Sequence, residues 1–163
     1  MPETVFGLPV HPLIVHATVV MVPLTAVAVA LWFLSARFRA WSGILPLAMA
    51  AVSVVLAPLS TSSGEELEHM VGESKLVQEH AELGDMLVWW CLGMLVVAAA
   101  GWFLRRRGDL GKGLTVALAV AGVVVSGGTL VQTVLIGHSG AKAAWSDVAQ
   151  SPQGSSSSDG DDG

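Results

Sequence analysis

The sequence predicts an all-α integral membrane protein, a four-helix bundle of up-down order with both termini on the non-cytoplasmic side. Three observations predict it. Only 13% of the 163 residues are charged while 53% are hydrophobic, where a soluble domain carries about a quarter charged residues. The mean hydropathy is +0.65. Four charge-free stretches are long enough to cross a hydrocarbon core of ~30 Å, which takes ~20 apolar residues in a helix. Finally, the basic residues cluster in two of the three connections, which gives the stretches a direction.

The spans are expected at Leu13 to Leu34, Trp41 to Leu59, Met86 to Leu104 and Leu114 to Ile136. Each is apolar nearly all round, without the polar stripe of a soluble amphipathic helix. Residues 1–149 form one transmembrane domain on this reading. The start of the chain, Met1 to Val10, has no Lys or Arg. It therefore lacks the basic n-region of a cleavable signal peptide, and the first apolar stretch is expected to stay as a span.

Arg37 and Arg39 lie between spans one and two; Arg105, Arg106, Arg107 and Lys112 lie between spans three and four. Six of the eight basic residues thus fall in two short hairpins, which the positive-inside rule places in the cytoplasm. Asp109 is the one acid on that side, and the other twelve fall opposite. The expected location is the bacterial plasma (inner) membrane, multi-pass, with the lipid bilayer as the first partner.

Trp32, Trp41 and Trp102 stand near the inner ends of their spans, where interfacial anchors belong, and Trp89 and Trp90 mark the outer boundary of span three. Pro23, Pro46 and Pro58 fall within spans and predict kinks. Gly122, Ser126, Gly127 and Gly128 in the last span are small enough to let a neighbouring helix come close. Between spans two and three, Ser62 or Ser63 is expected to cap an amphipathic outer helix over Glu65 to Leu83, broken near Gly72. The tail from Gln150 to Gly163 has no hydrophobe and is expected to be disordered. The lone Cys91 lies in an apolar run, so it has no internal disulfide partner and reads as a small hydrophobe.

All five histidines fall on the outer side: His11, His16, His69, His80 and His138. His16 is one turn inside span one, His80 is about one turn above span three, and His138 follows span four. In an up-down bundle these three helix ends meet at one face, and facing helices can supply haem or metal ligands. His11 and His16, five residues apart, point about 140° from each other on a regular helix. His11 precedes Pro12 and suits the N-cap. His69 and His80 would stand ~16 Å apart on a continuous helix and cannot share a metal. His16, His80 and His138 are therefore the candidate ligands, with His11 a fourth. Two axial imidazoles suit haem b, while three imidazoles suit a divalent metal ion such as zinc or copper. Glu79, Glu82 and Asp85 flank His80 as carboxylates able to orient it. The competing explanation is structural: histidines at helix ends often bond backbone carbonyls or lipid headgroups.

No catalytic motif emerges. Gly108 to Gly113 is glycine-rich but lacks the preceding strand and the spacing of a phosphate loop. His138-Ser139-Gly140 is no nucleophile elbow. Nothing marks a nucleic-acid partner, and no charge sits at a span midplane as a transporter would need.

The segment Phe6-Gly-Leu-Pro-Val-His-Pro-Leu-Ile-Val-His16 resembles the opening of the bacterial membrane proteins of domain of unknown function 2231, whose His-Pro-Leu-x-Val-His runs into the first of four membrane helices. Glu79-His80-Ala81 resembles that family's histidine before the third helix, and Gly137 to Gly140 resembles its segment after the fourth. Ala17-Thr18 departs from the family's aromatic-proline pair. The resemblance covers about residues 6 to 145. It places His11, His16 and His80 at motif positions, and His138 more loosely. The family's association with redox proteins implies haem or metal binding and electron transfer with a membrane or extracytoplasmic redox partner. The alternative is a non-catalytic module that packs against other proteins, its histidines structural.

Overall fold

The computed structural model describes the backbone at residues 4–5, 8–71, 74–108 and 111–150, and the side chains at 13–65, 74–108 and 111–145. The expected tail after Gln150 lies outside the described residues, as do the side chains of His11 and His69. The chain opens with a two-residue antiparallel pairing of β1 (Thr4–Val5) and β2 (Leu8–Pro9), in which Thr4 faces Pro9. Everything described after it is helical: α1 (Val10–Leu34), α2 (Ala36–Ser42), α3 (Leu45–Val71), α4 (Lys75–Arg107) and α5 (Lys112–Gln150). Four of these, α1, α3, α4 and α5, are long and apolar enough to cross a membrane.

The first connection is built by caps. Ser35 ends α1 and starts α2, its side chain accepting from the Phe38 amide at 3.2 Å. Gly43 closes α2 at φ +55°, where a side chain would be strained. Trp41 therefore belongs to the short α2 and not to the second span, which starts at Leu45. Pro46 is the second residue of α3, where no intrahelical amide bond is lost, so it needs no kink. The helices run on through Pro23 and Pro58.

The outer segment over 65–83 is helical up to Val71 and again from Lys75, but its expected separate start at Ser62 or Ser63 is corrected. Helix α3 continues from the membrane stretch to Val71, and a new helix begins at Lys75, capped by Ser74. The polar run 60–63 does not start a helix because its hydroxyls turn back on the helix they sit in. Thr61 donates to the Pro58 carbonyl at 3.1 Å, Ser62 to Leu59 at 3.3 Å and Ser63 to Ser60 at 2.9 Å. Similarly, α5 spans 39 residues, or about 58 Å at 1.5 Å per residue, against ~30 Å of hydrocarbon. Helix α4, at 33 residues, and α5 thus project beyond the hydrocarbon core they are long enough to cross.

Each long helix packs on the next, and α5 returns against α1. Val22, Ala26, Ala50, Leu87, Cys91 and Met94 form the central core. Inside it the Thr25 and Ser53 hydroxyls meet at 3.0 Å across α1 and α3. A second core gathers Val29, Trp32, Phe33 and Ala98. The small residues of α5 do admit neighbours: Gly122 lies against the Phe33 ring and Gly128 against the Trp90 ring, whereas Gly127 faces open space. Trp32 departs from its expected role. It is 5% exposed and donates Nε1–H to the Gly43 carbonyl at 3.2 Å, while Trp41 and Trp89 stand outside at 76% and 73%.

Candidate functional site at the histidine end

The described contacts at the histidine end join the start of α4 to the end of α5. His80 sits on the first turns of α4, whose helix is set by the Ser74 cap. Its Nδ1 lies 3.0 Å from Ser139 Oγ, and Ser139 Oγ also lies 3.0 Å from the Ile136 carbonyl. A hydroxyl has one proton. Both bonds are made together only if Ser139 donates to the Ile136 carbonyl and accepts from Nδ1–H. In the neutral ring that assignment leaves the lone pair on Nε2 of His80. The ring is half-buried and lies over Gly140, where an added Cβ would stand 3.0 Å from Cε1 and 3.6 Å from Nε2. One turn deeper, Gln132 Nε2–H donates to the Leu83 carbonyl at 2.7 Å. Two polar ties therefore join α4 to α5 at this end.

Beside them a groove of about 120 Å³ opens between the two helices. Leu76, Leu83 and Leu135 form its apolar wall, and Glu79, His138 and Lys142 carry its charge and polarity. His138 is exposed, and so is His16 on α1. The backbone of His11 lies inside the first turn of α1, which begins at Val10, so the helix starts before the expected N-cap. Among the described residues, no group of three or more His, Cys, Asp and Glu side chains stands close enough to hold a metal ion. The structure thus brings His80 to Ser139 and places His138 in the adjoining groove; it does not gather His16, His80 and His138 into one described centre.

The fit to each cofactor follows from this geometry. The groove is smaller than the 300–1,000 Å³ of typical organic-ligand pockets, so it does not enclose a haem. His80 Nε2, when the ring is neutral, carries the lone pair that a single axial or metal bond would use. The partner that orients the ring is Ser139, not Glu79, Glu82 or Asp85, all three of which are exposed. Sequence reasoning missed this serine because 59 residues separate it from His80. Its only local signal is a hydroxyl placed three residues after Ile136, in position to bond back to that carbonyl.

No curated protein and no solved structure matches the chain. A family model does, over residues 7–152: that of the predicted membrane proteins of DUF2231. The match takes in all four long helices and the histidine end, and the chain belongs to the DUF2231 family of membrane proteins.

Proposed function

We propose that this chain is a small bacterial inner-membrane protein, an up-down bundle with both termini extracytoplasmic, that works as a non-catalytic packing module. The observation that carries the proposal is the use made of His80. Its ring ties α4 to α5 through Ser139 and packs on Gly140, as a structural histidine does. The antiparallel order is supported by contacts between the start of α4 and the end of α5, and by Phe33 meeting both Gly101 and Gly122. The side assignment rests on the two basic hairpins. In this role the projecting helices form an extracytoplasmic surface against which a partner protein packs.

A second reading, ligand binding, is favoured by the tautomer of the same ring. The Nδ1–H bond to Ser139 orients the imidazole and, in the neutral ring, leaves the lone pair on Nε2, as the supporting hydrogen bond does in many ligand histidines. On that reading His80 holds haem b or a divalent metal ion at the open face, with His16, His138 and His11 as further ligands. The cofactor then supplies electron transfer with a membrane or extracytoplasmic redox protein, and the chain supplies ligation and orientation.

An absorption spectrum and metal analysis of the protein in mild detergent separate the two. The packing role predicts no Soret band and substoichiometric metal. It further predicts that His80→Ala costs about 1 kcal/mol of stability, the value of one interhelical hydrogen bond. A Soret band, or stoichiometric metal, that disappears in His80→Ala overturns the packing role in favour of the ligand site.

A further inference from the structure

The opposite end of the bundle holds a cluster of cations that the packing role does not use. Arg39, on α2, reaches back to the end of α1, its Nη1 donating to the Trp32 carbonyl at 2.7 Å. A cation there satisfies a carbonyl that the helix leaves unpaired. The same guanidinium stands 5.5 Å from the centroid of the Trp32 ring. Arg105, arriving on α4, stands 5.8 Å from that ring too. Two cations therefore share one indole, itself buried and held by Gly43. Arg105 Nε is buried with no hydrogen-bond partner.

The sequence offers these cations little compensation. No acid occurs between Leu34 and Leu45, and Asp109 is the one acid between Arg105 and Gly113. Burial, and then the charge of Arg105, lower the Arg39 pKa from its ordinary value. Two like charges about one ring repel, and an anion between them offsets that repulsion. A guanidinium offers a planar fork of donors that matches phosphate oxygens, and it stacks on an indole without losing that fork. The surroundings point to the source of the phosphate. Leu34, Trp41 and Phe103, at the same helix ends, are exposed apolar side chains, and hydrocarbon is the medium that suits them.

We propose that Arg39 and Arg105, arranged on Trp32, form a binding site for the phosphate of an anionic phospholipid. The site rests on the membrane reading, not on the role of the histidine end. Its failure would leave the His80 experiment untouched, because the two are read at opposite ends with different variants.

The test is native mass spectrometry of the full chain released from micelles holding equal amounts of phosphatidylglycerol and phosphatidylcholine. The wild type is expected to retain one phosphatidylglycerol in preference. Arg105→Gln and Arg39→Gln should each reduce that preference about tenfold or more, in line with the loss of one charge-assisted hydrogen bond to phosphate. Arg107→Gln, at an exposed arginine, should leave it unchanged. Arg105→Gln keeps the Arg39 cap on α1, so it reports on binding even where Arg39→Gln fails to fold. An equal loss in Arg107→Gln, or full preference retained in Arg105→Gln, would overturn the site. Excess inorganic phosphate supplies the other arm: lipid retained against it supports a lipid site, and lipid displaced by it overturns the lipid assignment.

Discussion

Replacing Trp32 by Ala is expected to lower the stability of the bundle in detergent by about 3–5 kcal/mol, the range for emptying a large aromatic from a core. More than volume is lost. Trp32 meets Phe33 edge-on at 5.0 Å between ring centroids, a geometry that favours aromatic pairs. Its Nε1–H holds the Gly43 carbonyl at the turn into α3, and its ring carries Arg39 and Arg105. Thermal unfolding followed by far-UV circular dichroism reads the loss. Trp41→Ala is the comparison. Trp41 is 76% exposed, so its replacement should change stability by less than about 1 kcal/mol. Equal effects from the two would mean that Trp32 is an interfacial anchor after all and not a core residue.

The next largest effect is expected at the glycines of α5. A side chain at Gly128 would run into the Trp90 ring, and one at Gly122 into Phe33. Phe33 is a core residue at 6% exposure, and Trp90 is half-buried against α5. Gly128→Val and Gly122→Val should each cost at least about 1–3 kcal/mol by overpacking. Each should also spread the helix pair it holds together, α4 with α5 or α1 with α5. Gly127 supplies the internal control. Nothing lies within 4 Å of where its Cβ would be. Gly127→Ala should be neutral, or stabilising by up to about 1 kcal/mol through the lower entropy cost of alanine in a helix. Unfolding midpoints for the three variants under one set of conditions decide the matter.

These glycines show where the sequence was legible and where it stopped being so. Four charge-free stretches of span length are a composition signal, independent of packing, and all four correspond to long helices. The run Gly122, Ser126, Gly127 and Gly128 marks a close approach, because only small side chains permit one. It does not say which glycine faces a ring and which faces outward; that depends on the rotation of α5. Trp32 and Trp41 read alike for the same reason, each lying near the end of an apolar stretch, and burial alone separates them. Residues 60–63 look like a turn by composition. Hydroxyls that can bond to their own helix make the run compatible with continuation instead.

The histidine end was legible in part. His80 stood out as an ionisable group next to a span, and the structure places it at a helix junction. Its bond to Ser139 joins two helices that are distant in sequence, and no periodicity announces such a pair. His16 and His138 are candidates by sequence because their helix ends fall on one side in an up-down order. A shared end does not bring side chains to one point, since each direction is set by the rotation of its own helix. Both are exposed.

The direction of the bundle in the membrane is the claim on which the extracytoplasmic surface depends, and cysteine accessibility in intact cells tests it most directly. Cys91 is buried, and replacing it by Ala gives a background free of other thiols. A single cysteine is then placed at Ser74, between α3 and α4, or at Gly108, between α4 and α5. The predicted result is that Ser74→Cys reacts with a membrane-impermeant maleimide in whole cells, while Gly108→Cys reacts only after the cells are opened. Labelling of Gly108→Cys in intact cells with Ser74→Cys protected would invert the orientation. It would place the histidine end in the cytoplasm and contradict the account.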